Sequence, residues 1–206
     1  MRIRAKICGI TRLADAMAAV DNGADAIGFV FHAPSPRNIA SDAANAISQS
    51  LPPFMSRVGL FVNAEAEFVT QTLAALPLDL LQFHGEESAE FCASFGRPYI
   101  KAIAMAGDVD LYQQAKQYST AAGLLVDTFS ADVKGGSGKT FDWSSLPHDL
   151  DKALILAGGL TADNVADAIE QVQPYAVDVS SGVESSKGIK DADKIVAFMK
   201  EVKRFT

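Results

Sequence analysis

The strongest constraint on the fold is a series of eight short apolar runs spread along the 206 residues of the chain. Each run has five or six residues and is mostly aliphatic, which is typical of parallel strands buried on both faces. The predicted strands are RAKIC (4–8), AIGFVF (26–31), RVGLFV (57–62), DLLQF (79–83), YIKAIA (99–104), GLLVD (123–127), ALILA (153–157) and AVDVS (176–180). This number of strands leaves few possible architectures.

The segments between these strands have the period of amphipathic helices. The clearest apolar stripes are Leu13, Met17 and Val20 in TRLADAMAAVDNG, and Val165, Ile169 and Val172 in TADNVADAIEQV. Strands that alternate with helices form right-handed parallel βαβ units. A doubly wound sheet would have fewer strands and a glycine motif after the first. We therefore expect an α/β protein, a single (β/α)8 TIM-barrel domain over residues 1–206.

Composition excludes several classes of function. The formal net charge of −7 and the pI near 4.9 argue against a nucleic-acid or anionic-membrane surface, which would need clustered cations. We find no leader pattern and no apolar run of the roughly 18 residues that a membrane span needs. The two cysteines, Cys8 and Cys92, are far apart in sequence, so we expect a reducing cytoplasm and a buried, inert Cys92.

A TIM barrel places its chemistry where strands end and βα loops begin. The chain has polar or glycine residues at these points: Cys8 after strand 1, Arg37 after strand 2, Gln82 and His84 after strand 4, Asp127 after strand 6, Gly158 and Gly159 after strand 7, and Ser180, Ser181 and Gly182 after strand 8. We expect these ten residues to surround one site.

The loops after strands 7 and 8, AGGLTADN and SSGVE, predict a phosphate site. Glycines let backbone N–H groups converge on an anion, and barrels commonly bind phosphate with these two loops. A helix beginning at Thr161 would add its dipole. The alternative is that they are ordinary turn residues.

The segment GGSGKT (135–140) ends like a nucleotide-binding P-loop, but Val133 occupies the position where that motif needs glycine. We interpret it instead as a loop that closes over the rim of the barrel.

Cys8 and Asp127 are candidates for a general base and a general acid. A helix capped by Thr11 would favour the Cys8 thiolate, and burial would favour a protonated Asp127. Each also has a purely structural interpretation, as a packing thiol and as a loop cap. Lys6 and Lys101 lie inside strands and could suggest a Schiff-base aldolase. Lys6, however, shares strand parity with Cys8 and stands level with Asp178, so we expect an interior ion pair between Lys6 and Asp178.

The three histidines lack the spacing of a metal site, so we expect none. His84 fits a loop-anchoring hydrogen bond as well as a substrate contact, while His32 and His148 lie in proline-containing loops and are interpreted as structural or solvated.

The motifs KICGIT, GADAIGFVF followed by SPR, VGLFVN, LLQFHGEE, LLVDT, GGSGKTFDW, LAGGLTADNV and VDVSSGVESSKGIKD occur in this order over essentially the whole chain. As a set they resemble the phosphoribosylanthranilate isomerases of tryptophan biosynthesis. The resemblance implies a cofactor-free Amadori rearrangement of N-(5-phosphoribosyl)anthranilate to 1-(2-carboxyphenylamino)-1-deoxyribulose 5-phosphate, an aldose-to-ketose isomerisation.

The resemblance also implies roles for individual residues. Asp127 would protonate the furanose ring oxygen, Cys8 would remove the C2 proton, and Arg37 would hold the anthranilate carboxylate. The loops at Gly158–Gly159 and Ser180–Gly182 would hold the phosphate. The chain departs from the family near His32 and at Asn38, where the family commonly has aromatic residues, and this leaves the packing around the anthranilate ring open.

The sequence leaves two other functions open. Another phosphosugar enzyme would need a nucleophilic lysine or a metal cluster at the strand ends, and a non-catalytic phosphoribosyl sensor would not need Cys8 and Asp127 to face each other. The expected partner is a small phosphosugar substrate, and the default assembly is a monomer because no long exposed apolar stripe stands out.

Overall fold

Eight parallel strands close into a barrel in chain order in the computed structural model, which describes residues 2–105, 108–127 and 143–205. The strands are β1 (Arg4–Cys8), β2 (Ala26–Phe31), β3 (Ser56–Phe61), β4 (Leu80–Phe83), β5 (Tyr99–Ala104), β6 (Gly123–Asp127), β7 (Ala153–Ala157) and β8 (Ala176–Val179). The predicted (β/α)8 barrel is confirmed, and every predicted strand is present to within one residue at each end. The predicted closing loop at 135–140 lies outside the described residues.

Helices surround the barrel: α1 (Leu13–Asp21), α2 (Ser41–Gln49), α3 (Ala66–Ala75), α4 (Ala89–Ala93), α5 (Leu111–Gln117), α6 (Val165–Val172) and α7 (Ala192–Val202). The predicted stripe of α6 is confirmed, since Val165, Ile169 and Val172 are all buried. Cys92 is fully buried in α4, as expected. No helix among residues 2–105, 108–127 and 143–205 is long and apolar enough to cross a membrane.

The predicted stripe of α1 is correct at Val20, which packs against the core, and wrong at Leu13. Leu13 is 44% exposed, and the helix instead buries Asp15, Ala16 and Ala19. The alanines allow close approach to the barrel, and the Asp15 carboxylate accepts hydrogen bonds from the Arg12 side chain and from a backbone N–H near the carboxyl end of the chain. A buried carboxylate with these partners is stable, but apolar periodicity cannot reveal it.

A short hairpin follows β8 and closes one side of the barrel mouth. It consists of β9 (Glu184–Ser186) and β10 (Ile189–Lys190), which pair antiparallel. The Thr11 hydroxyl donates to the Gly188 carbonyl at 2.6 Å. A Cβ at Gly188 would lie only 2.6 Å from the carbonyl oxygen of Pro36. The hairpin is thus packed between the loops that follow β1 and β2.

The two sides of the barrel interior differ in polarity. One side is filled by an apolar cluster from β5 to β8: Ile100, Ala102, Leu125, Ile155, Ala157 and Ala176. The other side contains three buried polar side chains, Lys6 on β1, Gln82 on β4 and Asp178 on β8. Buried polar groups need partners, so this half of the interior contains a hydrogen-bond network beneath the barrel mouth.

Candidate active site

All ten predicted site residues line one open cavity of about 670 Å³ at the carboxyl ends of the strands. They are Cys8, Arg37, Gln82, His84, Asp127, Gly158, Gly159, Ser180, Ser181 and Gly182. Sequence reasoning missed other lining residues: Val30, His32, Ser35, Leu60, Val62, Ala157, Leu160, Asp178, Val179 and Lys187. His32, interpreted as structural or solvated, therefore lies at the cavity, whereas His148 is an exposed residue that does not line it.

The Cys8 thiol is buried at the end of β1. The residue that pairs with Cys8 on β2 must be a glycine, because a Cβ at Gly28 would lie 2.8 Å from the Cys8 sulfur. Burial raises the pKa of the Cys8 thiol above its ordinary 9.0, although the nearby charges of Lys6 and Lys190 oppose the shift. The resting thiol is therefore protonated at neutral pH, and the positive charge that favours its thiolate comes from lysines.

The expectation that a helix capped by Thr11 would stabilise this thiolate is wrong. The α1 helix begins at Leu13, and the backbone N–H groups of Gly9 and Ile10 both donate to the Gly28 carbonyl at 2.9 Å. The Thr11 hydroxyl instead donates to the Gly188 carbonyl in the hairpin. These amides are committed to backbone bonds, so they are not the anion-stabilising donors that the sequence suggested.

The predicted ion pair beneath Cys8 is confirmed. Lys6 Nζ lies 2.7 Å from Asp178 Oδ2, both side chains are at least nine-tenths buried, and the two residues stand opposite each other in the β1–β8 register. Burial acts to lower the pKa of Lys6, but the charges and hydrogen bonds of Asp178 and Cys8 together outweigh it, so that the pKa lies above its ordinary 10.5. Lys6 is thus an ammonium ion, which is not nucleophilic. The other Asp178 oxygen, Oδ1, is buried and has no hydrogen-bond partner among the residues that the structure describes.

Lys6 is also connected to Asp127 across the mouth. Its ammonium donates to Gln82 Oε1 at 2.8 Å, and Gln82 Nε2 lies 3.0 Å from His84 Nδ1. His84 Nε2 in turn lies 3.4 Å from Asp127 Oδ2, where both side chains are partly exposed at the cavity. The fully buried Gln82 therefore uses both ends of its amide within the protein.

Arg37 is held by an acidic residue that sequence reasoning missed. Its Nε and Nη2 donate to the two Glu184 carboxylate oxygens at 2.7 and 2.8 Å, and Lys190 Nζ donates to the same carboxylate at 2.9 Å. Burial acts to raise the pKa of Glu184, but the hydrogen bonds from Arg37 and Lys190 lower it overall. The Arg37 guanidinium is therefore held to Glu184 through its Nε–Nη2 edge. Its Nη1 takes part in no hydrogen bond found among the described residues.

The two glycine loops meet at the cavity. Gly158 and Gly159 have φ values of 87° and 66°, and a Cβ at Gly159 would meet nothing within 4 Å, so its Cα faces open space. A Cβ at Gly182 would overlap the Leu160 carbonyl oxygen, which shows how closely the loops approach.

The helix after this loop does not begin at Thr161 as predicted. The α6 helix begins at Val165, because the Asn164 side chain accepts the Thr161 N–H at 2.8 Å and shapes an extra turn.

An apolar wall completes the cavity on the side of β1 to β3. Val30 and Leu60 pack with Cys8, and Val62 packs against them. This wall lies in the same cavity as Arg37, so an aromatic acid bound there could place its ring on the aliphatic side chains and its carboxylate near the guanidinium. Among the residues that the structure describes, no group of three or more His, Cys, Asp or Glu side chains could hold a metal ion.

The fold and the site define a class. A closed (β/α)8 barrel with titratable groups around a cavity at the carboxyl ends of its strands is the arrangement of a TIM-barrel enzyme acting on a small substrate.

Comparison with known proteins identifies the family within that class. The model of the N-(5'phosphoribosyl)anthranilate (PRA) isomerase family matches residues 5–201. The N-(5'-phosphoribosyl)anthranilate isomerase of Pseudomonas putida (strain GB-1) is 57% identical over 202 residues, 98% of each chain. The chain belongs to the N-(5'-phosphoribosyl)anthranilate isomerase family; it is an isomerase of tryptophan biosynthesis that converts an aldose to a ketose.

Solved structures agree with this assignment. The crystal structure of phosphoribosyl anthranilate isomerase from Thermotoga maritima has a TM-score of 0.90 at 44% identity and covers 98% of this chain and 99% of its own. A phosphoribosyl anthranilate isomerase in complex with reduced 1-(o-carboxyphenylamino)-1-deoxyribulose 5-phosphate has a TM-score of 0.87 at 41% identity, with coverage of 98% and 99%. The ligand of that protein is a small phosphosugar.

Proposed function

We propose that Asp127 is the general acid and Cys8 the general base of the isomerase reaction, an Amadori rearrangement of N-(5'-phosphoribosyl)anthranilate. The observation that carries the proposal is that the Cys8 thiol and the Asp127 carboxyl group line the same cavity as the other eight residues predicted for the site. They project from β1 and β6, so one substrate can contact both groups from different sides.

The first chemical step opens the sugar. The Asp127 carboxyl group gives its proton to the furanose ring oxygen as the C1–O bond breaks, and the lone pair of the anthranilate nitrogen forms a C1=N bond. The product is a protonated Schiff base with a free hydroxyl group at C4, and Asp127 is left as a carboxylate.

The second step moves a proton from carbon. The Cys8 thiol first releases its proton to solvent at the open cavity. The thiolate then takes the proton from C2, and the electron pair of that bond forms C1=C2 while the C1=N electrons return to nitrogen. The resulting enolamine gains a proton at C1 and loses one from the C2 hydroxyl, which gives the aminoketose. Protons are conserved overall, and the rearrangement needs no oxidant, reductant or cofactor.

The raised pKa of Cys8 is compatible with this role because the substrate brings a positive charge. After ring opening, the iminium group lies next to C2, within reach of the thiol, and an adjacent cation favours the thiolate. Lys6 and Lys190 act in the same direction. The thiolate therefore forms mainly when the substrate is activated, and a resting thiol of this kind is protected from oxidation.

Binding follows from the chemistry of the cavity walls. The glycine loops at Gly158–Gly159 and Ser180–Gly182 take the phosphate with backbone N–H groups, which suits a chain with a net charge of −7 because this binding needs no basic surface. Arg37 takes the anthranilate carboxylate, and the aliphatic wall takes the ring. The unpartnered Oδ1 of Asp178 accepts a hydrogen bond from a sugar hydroxyl group.

The test is the isomerase assay, which follows loss of the anthranilate fluorescence of authentic substrate. Cys8→Ser and Asp127→Asn should each reduce kcat at least about a hundredfold while circular dichroism and the melting temperature stay near those of the wild type. If both folded variants keep full turnover, the acid–base assignment is wrong. A folded wild type that binds the substrate without converting it would support the sensor alternative.

The remaining expectations belong to the same proposal. The net charge of −7 favours a cytoplasmic enzyme with no nucleic-acid or membrane partner. A monomer suffices because all groups proposed for the reaction come from one chain. Light scattering coupled to size exclusion tests the assembly. The Phe54 side chain is fully exposed in the single chain, so a dimer that buries it would contradict the monomer.

A further inference from the structure

A continuous chain of polar contacts joins the ion pair beneath the base to the proposed acid. Lys6 Nζ contacts Asp178 Oδ2 at 2.7 Å and Gln82 Oε1 at 2.8 Å. Gln82 Nε2 lies 3.0 Å from His84 Nδ1, and His84 Nε2 lies 3.4 Å from Asp127 Oδ2. No step of the proposed reaction uses Gln82, although its side chain is fully buried and contacts both Lys6 and His84.

The direction of the two hydrogen bonds that Gln82 makes is determined by chemistry. An ammonium group has only donors, so the amide oxygen of Gln82 must face Lys6 and the amide nitrogen must face His84. The amide nitrogen is also only a donor, so His84 Nδ1 must accept with its lone pair. The proton of the neutral imidazole is then on Nε2, the atom that faces Asp127.

We propose that Gln82 is a positioning residue that holds His84 as the Nε2–H tautomer and so supplies a fixed hydrogen-bond donor to Oδ2 of Asp127. The inference rests on the proposed role of Asp127 as general acid. With Oδ2 occupied as an acceptor, the acidic proton resides on Oδ1, and the donor stabilises the carboxylate that forms when this proton is transferred. A distance of 3.4 Å suits a bond that shortens as the carboxylate forms.

The surroundings keep the imidazole in place. The His84 backbone N–H donates to the Phe61 carbonyl at 2.8 Å. The buried Lys101 ammonium binds the carbonyl oxygen of Gly85 at 2.6 Å, and Glu87 accepts the Gly85 N–H at 2.9 Å. Among the described residues, the charged groups around the ring are Asp127 in direct contact, Glu87 on the same loop, Lys101 on β5, and the Lys6–Asp178 pair behind Gln82.

The decisive variant is Gln82→Glu. It preserves the shape of the side chain and an oxygen for Lys6, but it replaces the donor at His84 with an acceptor. The carboxylate then requires a proton on Nδ1. The nitrogen-15 resonances of the His84 ring, recorded on the full chain near pH 8, report which nitrogen is protonated. We expect protonated Nε2 with unprotonated Nδ1 in the wild type and a protonated Nδ1 in Gln82→Glu.

Kinetics on the same proteins separate positioning from structure. Because Gln82 donates to His84 and not to the substrate, kcat should fall about ten- to a hundredfold in Gln82→Glu while KM changes less than threefold. Gln113→Glu is the matched control, since it adds the same charge on the exposed face of α5. It should leave kcat, KM and the His84 spectrum unchanged.

Three outcomes overturn the proposal: protonated Nδ1 in the wild type, an Nδ1 that stays unprotonated in Gln82→Glu, or an unchanged kcat in that variant once the proton has moved. The first applies even if Gln82→Glu does not fold. If Asp127 is not the general acid, the result is distinguishable from these three. Asp127→Asn would then keep its turnover, while His84 of the wild type would still carry its proton on Nε2.

Discussion

Replacing Lys6 with methionine tests how the buried ion pair contributes to stability and to catalysis. Both charged groups of the pair are buried, and the substitution leaves the Asp178 carboxylate in the interior without its cation. Breaking a buried pair by removing one partner costs about 3–5 kcal/mol of unfolding free energy. At about 2–4 °C per kcal/mol for a chain of this size, the melting temperature should fall by about 6–20 °C.

The double variant Lys6→Met/Asp178→Leu separates the two contributions. It replaces the pair with apolar side chains of similar volume, which is often neutral or stabilising. Gln82 Oε1 loses its donor in both proteins, so the difference between them isolates the unpaired carboxylate. We expect the double variant to recover most of the lost stability, with a coupling energy of about 2–3 kcal/mol in urea unfolding.

Activity should not recover with stability. The Lys6 charge and hydrogen bond lower the pKa of the Cys8 thiol and outweigh the opposing charge of Asp178, and the apolar replacement removes both influences. Turnover of the double variant should therefore stay at least about tenfold below the wild type, which corresponds to about one pKa unit of thiolate stabilisation, and KM should rise because Asp178 no longer accepts from the sugar hydroxyl. If the double variant regains both stability and full kcat, Lys6 is only structural. If Lys6→Met is as stable as the wild type, the paired carboxylate is not an ionised, desolvated group.

Three further results are expected. Alkylation of Cys8 by iodoacetamide should still be accelerating above pH 9, because burial raises the pKa of its thiol; a rate that levels off near neutral pH would contradict this. Glu184→Gln should raise KM more than it lowers kcat, since it loosens Arg37. As the pKa of Glu184 is depressed in the folded protein, the stability advantage of the wild type over this variant should be present above about pH 4.5 and should disappear in melts at lower pH. Gly182→Ala should destabilise by about 1–3 kcal/mol and raise KM, because its Cβ would overlap the Leu160 carbonyl; an unchanged KM would argue against the phosphate site.

The sequence predicted the barrel and its rim for a definite physical reason. Strands buried on both faces leave uninterrupted apolar runs, and a closed barrel brings the ends of these runs to one rim. Lys6 and Asp178 could be paired from their parity and level on adjacent strands.

The partners of Arg37 left no comparable signal. Glu184 is 147 residues away in sequence, on a hairpin that is additional to the βα units, and its burial depends on tertiary hydrogen bonds without any periodic pattern. The same limitation explains the error in α1, whose buried face includes Asp15 because a distant backbone N–H binds its carboxylate. Positions that pack by apolar contact were predictable, whereas positions satisfied by one specific distant donor were not.

The polar half of the barrel interior is difficult to explain by stability alone. Apolar side chains usually fill a barrel, as they do here on the side of β5 to β8, and exchanging a buried ion pair for such residues is often neutral or favourable. Lys6 and Gln82 each stand two residues before a group of the site, Cys8 in one case and His84 in the other, and so lie directly beneath it. Their positions correspond to what the proposed chemistry requires, a cation under the base and a directed donor under the imidazole. We therefore attribute these polar residues to control of proton positions at the barrel mouth.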